Sequence, residues 1–194
     1  MRFFSKTNLK QLVERSGPLG YRDAARYIED VATQLNELHS IGGVHRDICP
    51  DLMMLDGAGR VRLQSSDPRL DEDDAVLAST PVEKSVLEAA DYLSPEQALN
   101  SHRADPRTDI YSLGYTLYFL LTGHAPFSQG SISERLLKHQ VAMAPDILVE
   151  RPNAPSMVVK LCERMMSKKP EDRPQTAIEV ATILRMWISS QDTA

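Results

Sequence analysis

Apolar residues recur along this chain at two different spacings, and the change of spacing divides it. Leu9, Leu12 and Val13 mark a short helix that stops at Ser16-Gly17-Pro18, where Gly17, Pro18 and Gly20 form a breaker. From Tyr21 to Ser40 the apolar positions Ala24, Ile28, Val31, Leu35 and Leu38 step by four, three, four and three, the period of an amphipathic helix. Gly42-Gly43 closes it. The pattern then shortens. Met53-Met54-Leu55 and Val61-Arg62-Leu63 bracket Asp56-Gly57-Ala58-Gly59, which predicts a β-hairpin with a glycine-containing loop. Residues 65–87 are polar and acidic, carry Pro68 and Pro81, and read as an exposed loop.

Helical spacing returns after Pro95. Asp105-Pro106 suits an N-cap followed by proline at the first helical position. The helix that follows holds Ile110, Leu113, Leu117, Leu120 and Leu121 and ends at Gly123. Its apolar residues lie on more than one face, which predicts a buried central helix. Weaker helices are expected over 131–139 and 154–166, the latter burying Val158, Leu161, Cys162, Met165 and Met166. A last helix starts near Thr176 and carries Ile178, Val180, Ala181, Ile183, Leu184 and Trp187. There is no internal repeat.

Composition adds exclusions. The 194 residues include 22 Lys+Arg and 27 Asp+Glu, a formal charge of −5, which argues against sequence-independent nucleic-acid binding. Hydrophobic content of 42% and charged content of 25% are those of a globular domain. The longest mostly apolar run, around 113–121, is too short to span a bilayer, and Met1–Lys10 does not have the form of a signal peptide. Cys49 and Cys162 are far apart and form no CxxC, so a reducing, cytoplasmic location is expected. The five histidines show no metal-binding spacing.

Five short motifs then occur in a fixed order: His45-Arg46-Asp47, Tyr92-Leu93-Ser94-Pro95-Glu96, Asp109-Ile110-Tyr111-Ser112-Leu113-Gly114, Thr122-Gly123-His124-Ala125-Pro126-Phe127, and Lys169-Pro170-Glu171-Asp172-Arg173-Pro174. In this order and spacing they resemble the C-terminal lobe of serine/threonine protein kinases, especially bacterial ones. The resemblance implies a mainly α fold: a kinase-like C-lobe, a helical bundle whose small β-hairpin carries the catalytic-loop region. It divides the chain into residues 1–8, a remnant of a hinge or edge strand, residues 9–188, the C-lobe, and residues 189–194, a tail. No N-lobe is expected within these residues, because nothing before Leu9 can supply its strands, glycine-rich loop and lysine.

The resemblance also implies roles. Asp47 matches the aspartate that orients the substrate hydroxyl, and Arg46 the arginine that receives a phosphorylated activation loop. His45 is expected in the internal hydrophobic spine. Asp109 matches the aspartate that holds backbone N–H groups of the catalytic loop, and Glu96 and Arg173 match a desolvated structural ion pair.

Other positions depart from the pattern. Where the family has Asp-Leu-Lys-Pro-x-Asn, this chain reads Asp47-Ile48-Cys49-Pro50-Asp51-Leu52. Cys49 removes the lysine charge, and Leu52 removes an oxygen ligand for Mg²⁺. The Asp-Phe-Gly positions fall on Ser65, Ser66 and Asp67, and Ala89 replaces a threonine hydroxyl. A shifted metal site built from Asp51 and Asp67 is disfavoured by the tight octahedral geometry that Mg²⁺ demands. The acidic run Asp71–Asp74 reads as a solvated loop, and Ser79, Thr80 and Ser85 as ordinary loop hydroxyls rather than phosphorylation sites. Cys49 reads as a small loop-filling residue rather than a reactive thiol.

The expectation is a catalytically dead or impaired kinase-like module, without cofactor, that presents its helical base or former substrate groove to a protein partner, such as another kinase, or self-associates through the face an N-lobe would cover. The alternative is an active serine/threonine kinase with ATP, an unusual Mg²⁺ site and an N-lobe supplied elsewhere. A third reading is a nonfunctional fragment.

Overall fold

The computed structural model describes residues 7–65, 89–101 and 104–192. Strand β1 (Thr7–Asn8) leads directly into helix α1 (Leu9–Ser16), whose N-cap Asn8 accepts the Gln11 N–H at 2.8 Å. Helix α2 (Tyr21–Ser40) buries Ala24, Ile28, Val31 and Leu35, the stripe its period predicts. A loop and a single 3-10 turn (Pro50–Leu52) lead to β2 (Met53–Leu55) and β3 (Val61–Leu63). The three strands pair antiparallel in the order β1-β2-β3, with Met53 opposite Leu63 and Thr7 opposite Leu55.

The free edge of β3 is met by polar side chains of α2. Asp30 accepts the Val61 N–H at 3.0 Å, Gln34 donates to the Val61 carbonyl at 2.8 Å, and Gln34 accepts the Leu63 N–H at 3.0 Å. Groups that a fourth strand would satisfy are satisfied by a helix instead. Burial pushes the Asp30 carboxyl above its ordinary value, partly offset by that Val61 bond.

Helix α3 (Pro95–Leu99) opens with a capping box, Ser94 and Gln97 bonding each other's backbone N–H. Helix α4 (Pro106–Thr122) is buried from Thr108 to Thr122 and is the centre of the molecule, packing on α2 and on α7 (Ser156–Met165). Asp105 caps its start, and Gly123, at φ +87°, closes it in the left-handed conformation. Gly114 allows α7 to approach: a Cβ there would lie 2.7 Å from Met165 Cβ. Helices α5 (Ile132–Val141) and α6 (Ile147–Glu150) lie between, and α8 (Ala177–Asp192) packs along α2.

The expected helices and hairpin are all present. Strand β1 falls within residues 1–8, the stretch expected to be a hinge or edge-strand remnant, helix α3 starts at Pro95 where helical spacing returns, and helix α6 was not foreseen. No helix among the described residues is long and apolar enough to cross a membrane.

Candidate functional site: the loop between α2 and β2

Residues 45–52 are held from below by Asp109, in the first turn of α4. Its Oδ2 accepts the His45 N–H at 2.8 Å and its Oδ1 the Arg46 N–H at 2.7 Å. His39, in the last turn of α2, adds a third contact from Nε2 to Oδ2 at 2.8 Å. Asp109 is fully buried. Three partners converge on it because a desolvated carboxylate without them would be strongly unfavourable.

This grip forces an unusual backbone. Arg46 sits at φ +69°, a region that non-glycine residues rarely adopt and that costs about 1 kcal/mol or more. Its carbonyl is fixed by Gln97 Nε2 at 2.9 Å. The Arg46 side chain is exposed. His45 is half-buried, and its Nε2 bonds the Gln64 carbonyl at 2.8 Å, so it ties the loop to the end of β3 by a polar contact.

Asp47 is half-buried, and burial raises its carboxyl above the ordinary value, with His45 acting the other way. Its carboxylate has no hydrogen-bond partner among the described residues. Cys49 is partly buried with its thiol pushed up to about 12 by burial and then by Asp47 and Asp51, which keeps it protonated and unreactive at neutral pH. Leu52 contributes backbone only: its N–H bonds the Cys49 carbonyl at 3.2 Å and its carbonyl accepts from Gln64 at 2.8 Å. Asp51 pairs with Lys10 of α1 at 3.2 Å. Ser65 directly follows Gln64, and Ala89 supplies a carbonyl to the Tyr92 N–H at 3.1 Å. Asp67, Ser66, Asp71–Asp74, Ser79, Thr80 and Ser85 lie outside the described residues.

Behind the loop, Arg173 is fully buried and uses all five of its N–H groups. Nη1 and Nη2 meet the two Glu96 oxygens at 2.7 and 2.9 Å, and the rest bond the carbonyls of Ser167, Arg107 and Lys168 at 2.8–2.9 Å. The guanidinium also stacks 4.7 Å from the Tyr111 ring centroid. Thr108 adds a hydrogen bond to Glu96 at 2.9 Å. Burial pushes the Glu96 carboxyl upward, but the bonds and charge of Arg173 outweigh it and leave Glu96 below the ordinary value.

Asp109 thus lies under a loop with one residue at positive φ, and Glu96 and Arg173 form a bidentate pair behind it. A family model for the protein kinase domain matches residues 1–184. The chain belongs to the protein kinase family. It is 33% identical over 191 residues to a probable serine/threonine-protein kinase PknB of Bifidobacterium longum, covering 97% of this chain and 27% of that protein. It is 32% identical over 179 residues to serine/threonine-protein kinase PrkC of Bacillus subtilis, covering 91% and 27%. A PknK of Mycobacterium tuberculosis is 29% identical over 187 residues, covering 95% and 16%. The chain thus spans about a quarter of the length of the first two relatives.

Kinase chemistry runs on ATP and Mg²⁺, and the described loop does not fit the metal. Where the family supplies an amide oxygen there is the Leu52 side chain, and the adjacent Asp51 carboxylate is engaged by Lys10.

Sequence reasoning missed His39 and Gln97, which hold Asp109 and Arg46. The Ser94-x-x-Gln97 spacing announced the capping box, but the reach of Gln97 across to Arg46 has no local signature.

Proposed function

We propose that this kinase-family chain has lost phosphoryl transfer and acts as a protein-binding module. The observation that carries the reading is the state of Asp47: among the described residues its carboxylate has no hydrogen-bond partner, and it lies beside a protonated thiol. Phosphoryl transfer rests on positioning and charge neutralisation. Here the positions that matched a lysine and a threonine are Cys49 and Ala89, and neither offers Asp47 a positive charge or a hydroxyl. The scaffold residues Asp109, Glu96 and Arg173 keep their contacts, so the loop is preserved as shape.

The reading assigns partner binding to the helical surface. Leu137 and Val141 on α5, with Met143 just beyond it, are exposed, while neither β1, β2 nor β3 contributes a large exposed apolar side chain. The test is thermal unfolding with and without ATP and Mg²⁺, together with transfer of radiolabelled phosphate to a generic protein substrate. No stabilisation and no transfer are expected. A Mg²⁺-dependent rise in Tm that disappears in Asp51→Ala or Asp67→Ala overturns the proposal, because a ligand of the native state must stabilise it.

A further inference from the structure

Away from the loop, Lys168 occupies an unusual setting. It follows α7, is half-buried, and its Nζ lies 5.7, 5.9 and 5.4 Å from the ring centroids of Tyr111, Tyr115 and Phe127. The Tyr111 and Tyr115 hydroxyls are each 3.4 Å away. Among the described residues no carboxylate pairs with it, and the charged neighbour they supply is the Arg173 guanidinium, which shares the Tyr111 ring with it. Among the described residues, titratable His139 of α5 also faces this cluster, its Nδ1 2.9 Å from the Tyr111 hydroxyl, and Cys162 and Tyr118 act on Tyr115. Arg173 is itself neutralised by Glu96, so that carboxylate is already spoken for.

An amine packed among aromatic rings and next to a second cation is poorly solvated as an ammonium. These are the two settings that turn a lysine into a nucleophile. Burial and then Arg173 lower its basicity to about 8, in agreement with the geometry. We propose that Lys168 is a modification site whose Nζ takes an acyl group from a small acyl phosphate. The free amine attacks the carbonyl carbon, the carbon–oxygen bond to phosphate breaks, inorganic phosphate leaves with the electron pair, and the surplus amine proton passes to water. The product is a neutral amide that no longer repels Arg173.

Lys169, exposed on the next residue, is a built-in reference. The folded chain is treated with acetyl phosphate near pH 7.5, and acetylation at each lysine is followed over time by tandem mass spectrometry. The greater share of free amine outweighs its weaker intrinsic nucleophilicity, so Lys168 is expected to react roughly ten-fold faster than Lys169. In denaturant the two rates should converge. Equal rates in the folded chain, no reaction at Lys168, or a preference that survives denaturation would each overturn the proposal. Tyr115→Phe, which keeps the ring and removes one phenol, should retain the preference; its loss there would show that the phenol, not the cage and Arg173, activates the amine, and would also overturn it.

Discussion

Replacing Glu96 by glutamine keeps the shape of the side chain and removes its charge. Arg173 then remains fully buried as a cation with only neutral acceptors. Breaking one side of a buried pair costs about 3–5 kcal/mol, far more than an exposed bridge would. The upper part of that range is expected here, because the two short bonds to Glu96 are charge-assisted and parallel. For a chain of this size that is a fall in Tm of roughly 6–20 °C. Urea unfolding followed by circular dichroism measures it, with an unchanged m-value showing that the native fold persists. The pH dependence supplies a second reading. Glu96 has a folded-state value below its unfolded one, so its contribution is present above the unfolded value and is lost as pH falls through the folded value. That part of the acid slope should vanish in Glu96→Gln. Arg173→Met added to Glu96→Gln should recover only part of the loss, since the carbonyls of Ser167, Arg107 and Lys168 then lose their donors. A loss below about 1 kcal/mol in Glu96→Gln would refute the idea that the pair is desolvated and coupled.

Three further outcomes are expected. Asp109→Ala should cost about 2–4 kcal/mol by leaving the His45 and Arg46 N–H groups unpaired, and in hydrogen exchange those two amides should lose protection ahead of α4. His139 is fully buried with its affinity for protons lowered to about 3, by burial first and then by Lys168, so it folds as the neutral form. Its contribution is present above pH 6.5 and is lost as pH falls toward the folded value; between pH 7 and 5 this amounts to about 2 kcal/mol, and His139→Phe should lack that loss in urea titrations at the two pH values. Gly114→Ala places a methyl 2.7 Å from Met165 Cβ and 3.1 Å from Met166 Cγ, and should destabilise by about 1–3 kcal/mol in the same assay.

What the sequence disclosed follows the range of the interactions involved. Helices α2 and α4 were legible because periodicity lies within the elements and caps and closing glycines lie directly beside them. The contacts of Asp109, Glu96 and Arg173 had no local signal in the sequence, since their partners lie 64, 77 and 77 residues away in the chain. Helices α3 and α6 span five and four residues, too few to show a period, and exist through their caps and tertiary contacts. Strand β1 has two residues and is defined by pairing with β2. The cluster of Tyr111, Tyr115, His139 and Lys168 brings three separate segments together, and no local pattern marks it.

The bonds from Asp30 and Gln34 to β3 bear on how this chain meets other proteins. An extended peptide, or the strand of a second copy, docks on a sheet by taking over its unpaired N–H and C=O groups. On the β3 side the Val61 N–H and C=O and the Leu63 N–H are already engaged, so an incoming strand would first have to evict two side chains of a well-packed helix. The same bonds guard the sheet against the edge-to-edge growth that begins aggregation. Association through this side of the molecule is thereby left to side-chain surfaces, where recognition depends on shape and charge and can be specific to one partner.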